Sequence, residues 1–413
     1  MNVKISPFTA NGIISAPPSK SFAHRLIISA FISGGDCLIK NVGASQDVKA
    51  TVYAVSALGA EINYDGENVY IGKITPVKTA QINCSESGST LRFLIPVAGA
   101  LGINAKFTGS PVLLSRPVSA YTDCFLNSGA SFNDHEISGK LKPKKYFLDA
   151  SLSSQYVSGL LFGLAAVNGV SEIILTGKNV SQGYADMTVS ALKTFGVKII
   201  KTDCGYKVYG GEFSPLKTVT VEGDWSGAAF PLSLGAICGK VTVTGLSYPS
   251  LQKDCEIVDI LRKFGAKVTA HGNSVTVENR PLTAIKELNC ENIPDLVQVI
   301  CSLSAYAKGV TCLTGVSRLK IKESDRIYAV INSLSVFNIK AEYDGERLTV
   351  TGGTPCGGTV DGGNDHRTVM SAAVLASKAE KETIITGAEA HKKSYVSFFE
   401  DYKKLGGITD VCL

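Results

Sequence analysis

This sequence has no apolar run long enough to cross a membrane, no paired-cysteine motif and no block of like charge, and each absence removes a class of protein. Its longest apolar stretches, Leu160 to Val167 and Ala228 to Cys238, fall well short of the roughly 18 residues that suggest a span, and Pro231 interrupts the second. The opening MNVKISPFTANG lacks the basic and apolar regions of a secretory signal, so the expected location is the cytoplasm. Eleven cysteines lie singly from Cys37 to Cys412 with no C-x-x-C pair, which argues against a disulfide framework and against a structural zinc site. The formal charge of +5 is too mild for a nucleic-acid protein, and the densest cationic cluster is only Lys142, Lys144 and Lys145. An anionic partner should therefore be small. H-x-x-x-H, a Walker loop and G-x-G-x-x-G are also missing, so neither a metal nor another cofactor is expected.

What is present is a chain of 413 residues, 45% hydrophobic, with enough apolar material for two or more domains. It carries a repeat. Apolar strands ending in a glycine turn recur as LIKNVG, AKFTGS, EIILTG, VTVTGL, TCLTGV and TIITGA. Their glycines, Gly43, Gly109, Gly177, Gly245, Gly315 and Gly387, are 66, 68, 68, 70 and 72 residues apart. Between the turns come helical stretches, hairpins such as INYDGENVYIG with its Asp-Gly turn, and a second, nearly all-apolar helix. Each unit reads as an α+β module of βαβαββ order. Six copies split into two groups of three, with a boundary near Val221 to Trp225; if Val3 to Ile5 pairs with the C-terminal half, the chain crosses twice between domains.

The apolar helices open on polar segments: PPSKSFAHR, SESGSTLR, SLSSQY, GDWSG, NIPD and GGNDHR. Each offers Ser, Thr, Asp or Asn as an N-cap, and in the fifth Pro294 and Asp295 suit the first turn. A helix N-terminus, with its unpaired N–H groups and partial positive charge, is a ready anion site. Lys20, Ser21 and Arg25 stand at the first mouth, Ser21 and Arg25 sharing a face; Ser87, Gly88, Ser89 and Thr90 form the second; Ser153, Ser154 and Gln155 form the third. Arg116 precedes Pro117 in a loop. RLKIKESDR brings Arg318, Lys320, Lys322 and Arg326 into nine residues, with Lys322 and Arg326 one helical turn apart. NDHR adds His366 and Arg367. Singly, each also reads as a capped turn or a solvated, salt-bridged face. Asp295 is the odd carboxylate: it either favours a helix dipole or accepts a proton from a substrate hydroxyl. Together they argue for anion chemistry, because equivalent positions of one repeat carry different polar groups while the core pattern persists.

At PPSKSFAHR, SGSTLR, LSRP, SSQYVSGLL, IPD, KIKESDR and NDHR, in this order and across essentially the whole chain, the sequence resembles the enolpyruvyl transferases, and within them the branch acting on shikimate 3-phosphate. The resemblance implies an α/β fold (α+β type) of two domains, each of three βαβαββ units with buried helices, in an inside-out barrel-like arrangement closing on substrates between the domains. Residues 1–18 with 225–413 would form the domain holding the phosphoenolpyruvate clamp and the catalytic acid and base; residues 19–224 would form an inserted domain binding shikimate 3-phosphate. The reaction implied is transfer of the enolpyruvyl group of phosphoenolpyruvate to the 5-hydroxyl of shikimate 3-phosphate with release of phosphate, by a monomer without metal, cofactor, nucleic acid or membrane, in the shikimate pathway of aromatic amino-acid biosynthesis.

By resemblance, Lys20, Ser21, Arg25, Ser153, Ser154, Gln155, Ser181, Asp295 and Lys322 bind shikimate 3-phosphate. Lys20, Gly88, Arg116, Gln155, Arg326, Arg367 and Lys393 bind phosphoenolpyruvate, with Lys392 competing for the last role. Asp295 takes the hydroxyl proton, and Glu323 or Lys20 protonates the methylene carbon. The sequence departs from the family at Glu86 and Ser87, where Asn-Ala or Asn-Ser is common, and at Thr368, where Met is usual; the role of the residue at Arg318 is not carried over. Two other readings stand beside this one. A sister transferase acting on a UDP-amino sugar would carry a cysteine in the loop TGSPVLLSRP, which has none. A non-catalytic repeat protein binding RNA or a small anion would show basic patches interleaved with aromatics, whereas the cations here are dispersed among acids.

Overall fold

In the computed structural model the described residues are all but 152, 178–181, 323 and 413, with the side chains of 321 and 412 also left aside. The chain divides into two compact units, one of Met1–Pro17 and Glu222–Leu413, the other of Pro18–Val221. Residue 18 and residues 222–224 thus lie across the division from where the sequence reading put them. Local bonds tie residues 223 and 224 to the first unit: Asp224 N–H donates to Pro17 O at 2.7 Å, and Gln252 donates through Nε2 to Gly223 O at 2.8 Å.

Among the described residues the six repeats are visible as six four-stranded sheets, three in each unit. One shows the pattern fully: Lys145–Asp149 lies parallel to Gly169–Thr176, which pairs antiparallel with Gly205–Gly210, itself antiparallel to Lys198–Thr202. A helix joins the parallel pair and another precedes the hairpin, giving βαβαββ. Three sheets depart from simple sequence order. Thr218–Thr220 supplies the edge strand beside Cys37–Lys40, Ala10–Ser15 pairs parallel with Gly239–Thr244, and Asn2–Ser6 lies between Thr383–Thr386 and Ile408–Cys412. The pairing of Val3 to Ile5 with the C-terminal half, raised from the sequence, is thus found; turn spacing carried no sign of the other two exchanges, because those strands are short and sit outside the repeat that uses them.

Burial explains the layering. Lys145–Asp149 alternates exposed and buried residues, as a sheet facing water on one side should. The helices do not alternate: every residue from Gly227 to Ile237 in the helix Trp225–Cys238 is buried. A helix apolar all round must sit inside. In the second unit the helices Gly88–Leu101 and Ser154–Ala165 approach closely because Gly159 has no side chain; a Cβ there would stand 2.2 Å from Arg92 O and from Tyr121 Oη. Tyr121 Oη donates to Arg92 O at 2.7 Å and fixes the same contact. No helix among the described residues is long and apolar enough to cross a membrane.

Candidate active site

In the second unit the caps hold as the sequence suggests. Ser19, Ser87 and Ser153 accept through Oγ from the N–H groups of Phe22, Thr90 and Gln155. Lys20, the first residue of its helix, pairs with Asp47 at 2.9 Å, and both are largely screened from solvent. Arg25 is buried; its Nε donates to Thr188 Oγ1 at 2.9 Å, its Nη1 to Ser21 O at 2.7 Å and its Nη2 to Tyr184 O at 2.9 Å. The guanidinium lies 5.1 Å from the centre of the Phe93 ring, and burial draws its pKa down to about 10. It therefore stays charged at neutral pH, and Ser21 and Arg25 are joined as their spacing implies.

The close helix pair assembles a second group. Gln155 accepts through Oε1 from Arg92 Nη1 at 2.7 Å and donates through Nε2 to Ser89 Oγ at 3.1 Å. A Cβ on Gly88 would stand 3.0 Å from Arg92 Nη1, 3.2 Å from Arg116 Nη1 and 3.5 Å from Gln155 Oε1. Gly88, Arg116 and Gln155, expected together from three separate segments, are neighbours here. Arg92 is a residue the sequence reading missed, although it follows Gly88 at the i+4 spacing used to link Ser21 with Arg25. Asp47 was missed as well, since nothing local marks a partner 27 residues from Lys20.

The first unit gathers the remaining ionic residues. Arg326 is buried and bridges two carboxylates: Nη1 lies 3.0 Å from Asp295 Oδ1, and Nε lies 2.8 Å from Asp365 Oδ2. Arg367 approaches the same Asp295, with Nε 3.4 Å from Oδ1 and Nη1 donating to the main-chain oxygen at 2.9 Å. Asp365 caps the helix His366–Ala376 by accepting from Arg367 N–H at 2.9 Å, and it accepts from Ser324 Oγ at 2.9 Å. Its place as cap was legible in NDHR; its grip on Arg326 was not. Lys393 is buried and donates to Asn364 O at 2.7 Å, whereas Lys392 is exposed. The geometry thus places Lys393 beside NDHR.

Two local readings are corrected. Asp295 is not in the first turn of its helix, which spans Val297–Ala305 with Leu296 at the N-cap and no side-chain cap bond; Asp295 sits in the turn before it. Lys322 and Arg326 do not share a helix either, because Lys322 ends the short Ser317–Ile321 turn and Arg326 begins the helix Arg326–Val336, capped by Asp325. The Asp325 cap, accepting from the N–H groups of Ile327 and Tyr328 at 3.1 Å, competes with helix continuation and wins. Ser181 and Glu323 lie outside the described residues.

Asp254 is a further residue no motif pointed to. It is buried, accepts from Ser226 Oγ, and leaves Oδ1 without a hydrogen-bond partner. Burial, helped by the charge of Asp295, pushes its carboxyl up to about 7. A carboxyl whose folded pKa lies above its unfolded value of 3.8 stabilises the fold fully below that value and loses the contribution as pH rises through about 7. Wild-type stability should therefore fall between pH 4 and 7 by up to about 1.4 kcal/mol per pH unit from this group. Asp254→Asn should lack that fall. Denaturant unfolding at several pH values checks this, and parallel pH curves for the two proteins would sink it.

Comparison with known proteins decides the family. The family model for EPSP synthase (3-phosphoshikimate 1-carboxyvinyltransferase) matches residues 6–402. The chain belongs to the EPSP synthase family. A 3-phosphoshikimate 1-carboxyvinyltransferase of Clostridium novyi is 37% identical over 433 residues, covering 99% of this chain and 98% of the relative. One of Clostridium kluyveri is 36% identical over 418 residues, with the same coverage. Among solved structures, an EPSP synthase from Acinetobacter baumannii superposes with a TM-score of 0.85 at 22% identity, over 100% of both chains, a likeness that speaks to the fold. As an EPSP synthase family member the chain is a transferase, and the two-domain fold expected from the resemblance is the one it adopts.

Proposed function

We propose that this chain transfers the enolpyruvyl group of phosphoenolpyruvate to the 5-hydroxyl of shikimate 3-phosphate and releases phosphate, acting as a monomer in the cytoplasm. The observation that carries the assignment of roles is the ionic cluster of the first unit, in which one carboxylate, Asp295, faces two arginines, Arg326 and Arg367. A carboxylate held among groups suited to anions has a task if it accepts a proton. In our reading Asp295 takes the proton of the 5-hydroxyl as that oxygen attacks the carbon bearing the phosphate, while an acid, Glu323 or Lys20, protonates the methylene carbon; loss of that proton and of phosphate regenerates the alkene. Arg326, Arg367 and Lys393 neutralise phosphoenolpyruvate, and Lys322 contacts shikimate 3-phosphate. In the second unit Lys20, Ser21, Arg25, Ser153, Ser154, Gln155 and Ser181 bind shikimate 3-phosphate, and Gly88, Arg116 and Gln155 bind phosphoenolpyruvate with Arg92 beside them. Charge-assisted bonds of this kind contribute roughly 1.5 to 3 kcal/mol each, which suits substrates bringing two phosphates and two carboxylates.

The deciding assay is phosphate release on mixing the protein with phosphoenolpyruvate and shikimate 3-phosphate in the presence of a chelator. Release that requires both substrates supports the reading. Release only with a UDP-amino sugar would move it to the sister reaction, and silence with both would leave an anion-binding protein. Within the same assay Gly88→Ala should raise KM for phosphoenolpyruvate by about two- to tenfold, because the new Cβ pushes the ends of the Arg92 and Arg116 guanidinium groups slightly out of place. An unchanged KM would remove Gly88 from that pocket.

A further inference from the structure

Beneath the binding side chains of the second unit runs a buried chain of hydrogen bonds that none of the proposed roles uses. His24 Nδ1 lies 2.7 Å from Thr51 Oγ1, Thr51 Oγ1 lies 2.6 Å from Thr90 Oγ1, and Thr90 Oγ1 donates to Ser87 Oγ at 2.7 Å. All four residues are buried, at 1% exposure or less. The chain starts one residue before Arg25 and ends on the N-cap of the helix that opens with Gly88, so it spans three helices: Lys20–Ile32, Gln46–Ala57 and Gly88–Leu101.

A hydroxyl has one proton to give, so the direction of the Thr90–Ser87 bond orders the rest of the chain. Thr90 spends its proton on Ser87, so it must accept from Thr51. Thr51, having donated to Thr90, must accept from His24. His24 is left as the donor through Nδ1–H, which makes it the Nδ1–H tautomer with a bare lone pair on Nε2. That nitrogen is buried and has no hydrogen-bond partner. The imidazole is also held neutral: burial first, then the neighbouring charges of Lys20 and Arg25, keep its pKa well below 6.5. Phe93 closes the ring's surroundings, edge-on with centroids 6.5 Å apart. At the other end Ser87 Oγ accepts twice, from Thr90 Oγ1 and from Thr90 N–H at 3.1 Å, so the orientation of the cap depends on the chain above it.

We infer that His24, as the Nδ1–H tautomer, and Thr51 are positioning residues: through Thr90 they orient the Ser87 cap, and with it the Gly88–Ser89 backbone, relative to the helix carrying Lys20, Ser21 and Arg25. The inference rests on the proposed roles of Gly88 and Lys20 for its catalytic meaning, though not for the direction of the bonds. It also accounts for Ser87 and Thr90 in SESGSTLR as parts of one chain rather than as a cap beside an unrelated core threonine.

Two measurements test it. Nitrogen-15 NMR of the histidine side chains, assigned with a His24→Asn control, should show His24 protonated at Nδ1 in the substrate-free wild type. A signal protonated at Nε2 would reverse the chain and overturn the inference without need of any variant. Thr51→Val keeps the shape and removes both bonds; KM for phosphoenolpyruvate should rise about tenfold with kcat within about twofold, and Thr51→Ser should restore it. An unchanged KM in folded Thr51→Val protein would overturn the positioning role. If the wild type turns over neither substrate pair, the proposed reaction fails, while the spectrum still decides the bond order.

Discussion

Asp295→Asn should lower kcat by about 100- to 10,000-fold, the range that a positioned general base contributes. The change keeps the shape of the side chain but removes its capacity to take the 5-hydroxyl proton. Arg326 and Arg367 would lose a charged partner, yet Arg326 would keep its 2.8 Å pairing with Asp365 and Arg367 Nη1 its bond to the main-chain oxygen of residue 295. Substrate affinity should therefore change far less than turnover. Single-turnover phosphate release beside equilibrium binding of shikimate 3-phosphate separates the two. A variant keeping more than about a tenth of wild-type kcat would show that the base lies elsewhere.

The second large effect is on stability. Arg326 is among the largest fully buried side chains and joins Asp295 to Asp365, the latter at 0% exposure. Removing one partner of a buried ionic group strands the other, at a cost of about 3 to 5 kcal/mol. That is a large fraction of the roughly 5 to 15 kcal/mol that holds an ordinary domain folded. Arg326→Ala should consequently unfold the first unit at clearly lower denaturant concentration, while the second unit, whose core is separate, should keep its midpoint. Arg326→Lys keeps the charge but cannot offer a fork to two carboxylates, and should fall between. Coincident midpoints for wild type and Arg326→Ala would mean that the pairings contribute nothing net.

Much of this was legible in linear order. The six glycine turns give the period, the all-apolar helix bodies require an inside position, and the residues SKSFAHR, SGSTLR, SSQY and NDHR mark the helix mouths. The capping roles of Ser19, Ser87, Ser153 and Asp365 follow from the same short-range chemistry, because a cap bond closes within two or three residues. Where a local signal had a competitor, it misled. Asp295 looks like a first-turn residue after Pro294, but the helix starts only at Val297; Lys322 looks one turn from Arg326, but the Asp325 cap starts a new helix between them.

What the sequence determined by itself, then, is whatever depends on periodicity and on neighbours a turn away: the repeat, the buried character of the helices and the chemical type of each mouth. Tertiary structure alone decided the pairings over long separations. Arg92 meets Gln155 because Gly159 lets two helices touch; Arg326 meets Asp365, 39 residues on, and Asp254 lies buried near Asp295. The exchanged strands Ala10–Ser15 and Thr218–Thr220 belong to the same class. Such contacts are chosen by which surfaces a packed core brings together, and a charge or a hydroxyl carries no mark in the chain of the partner it will find.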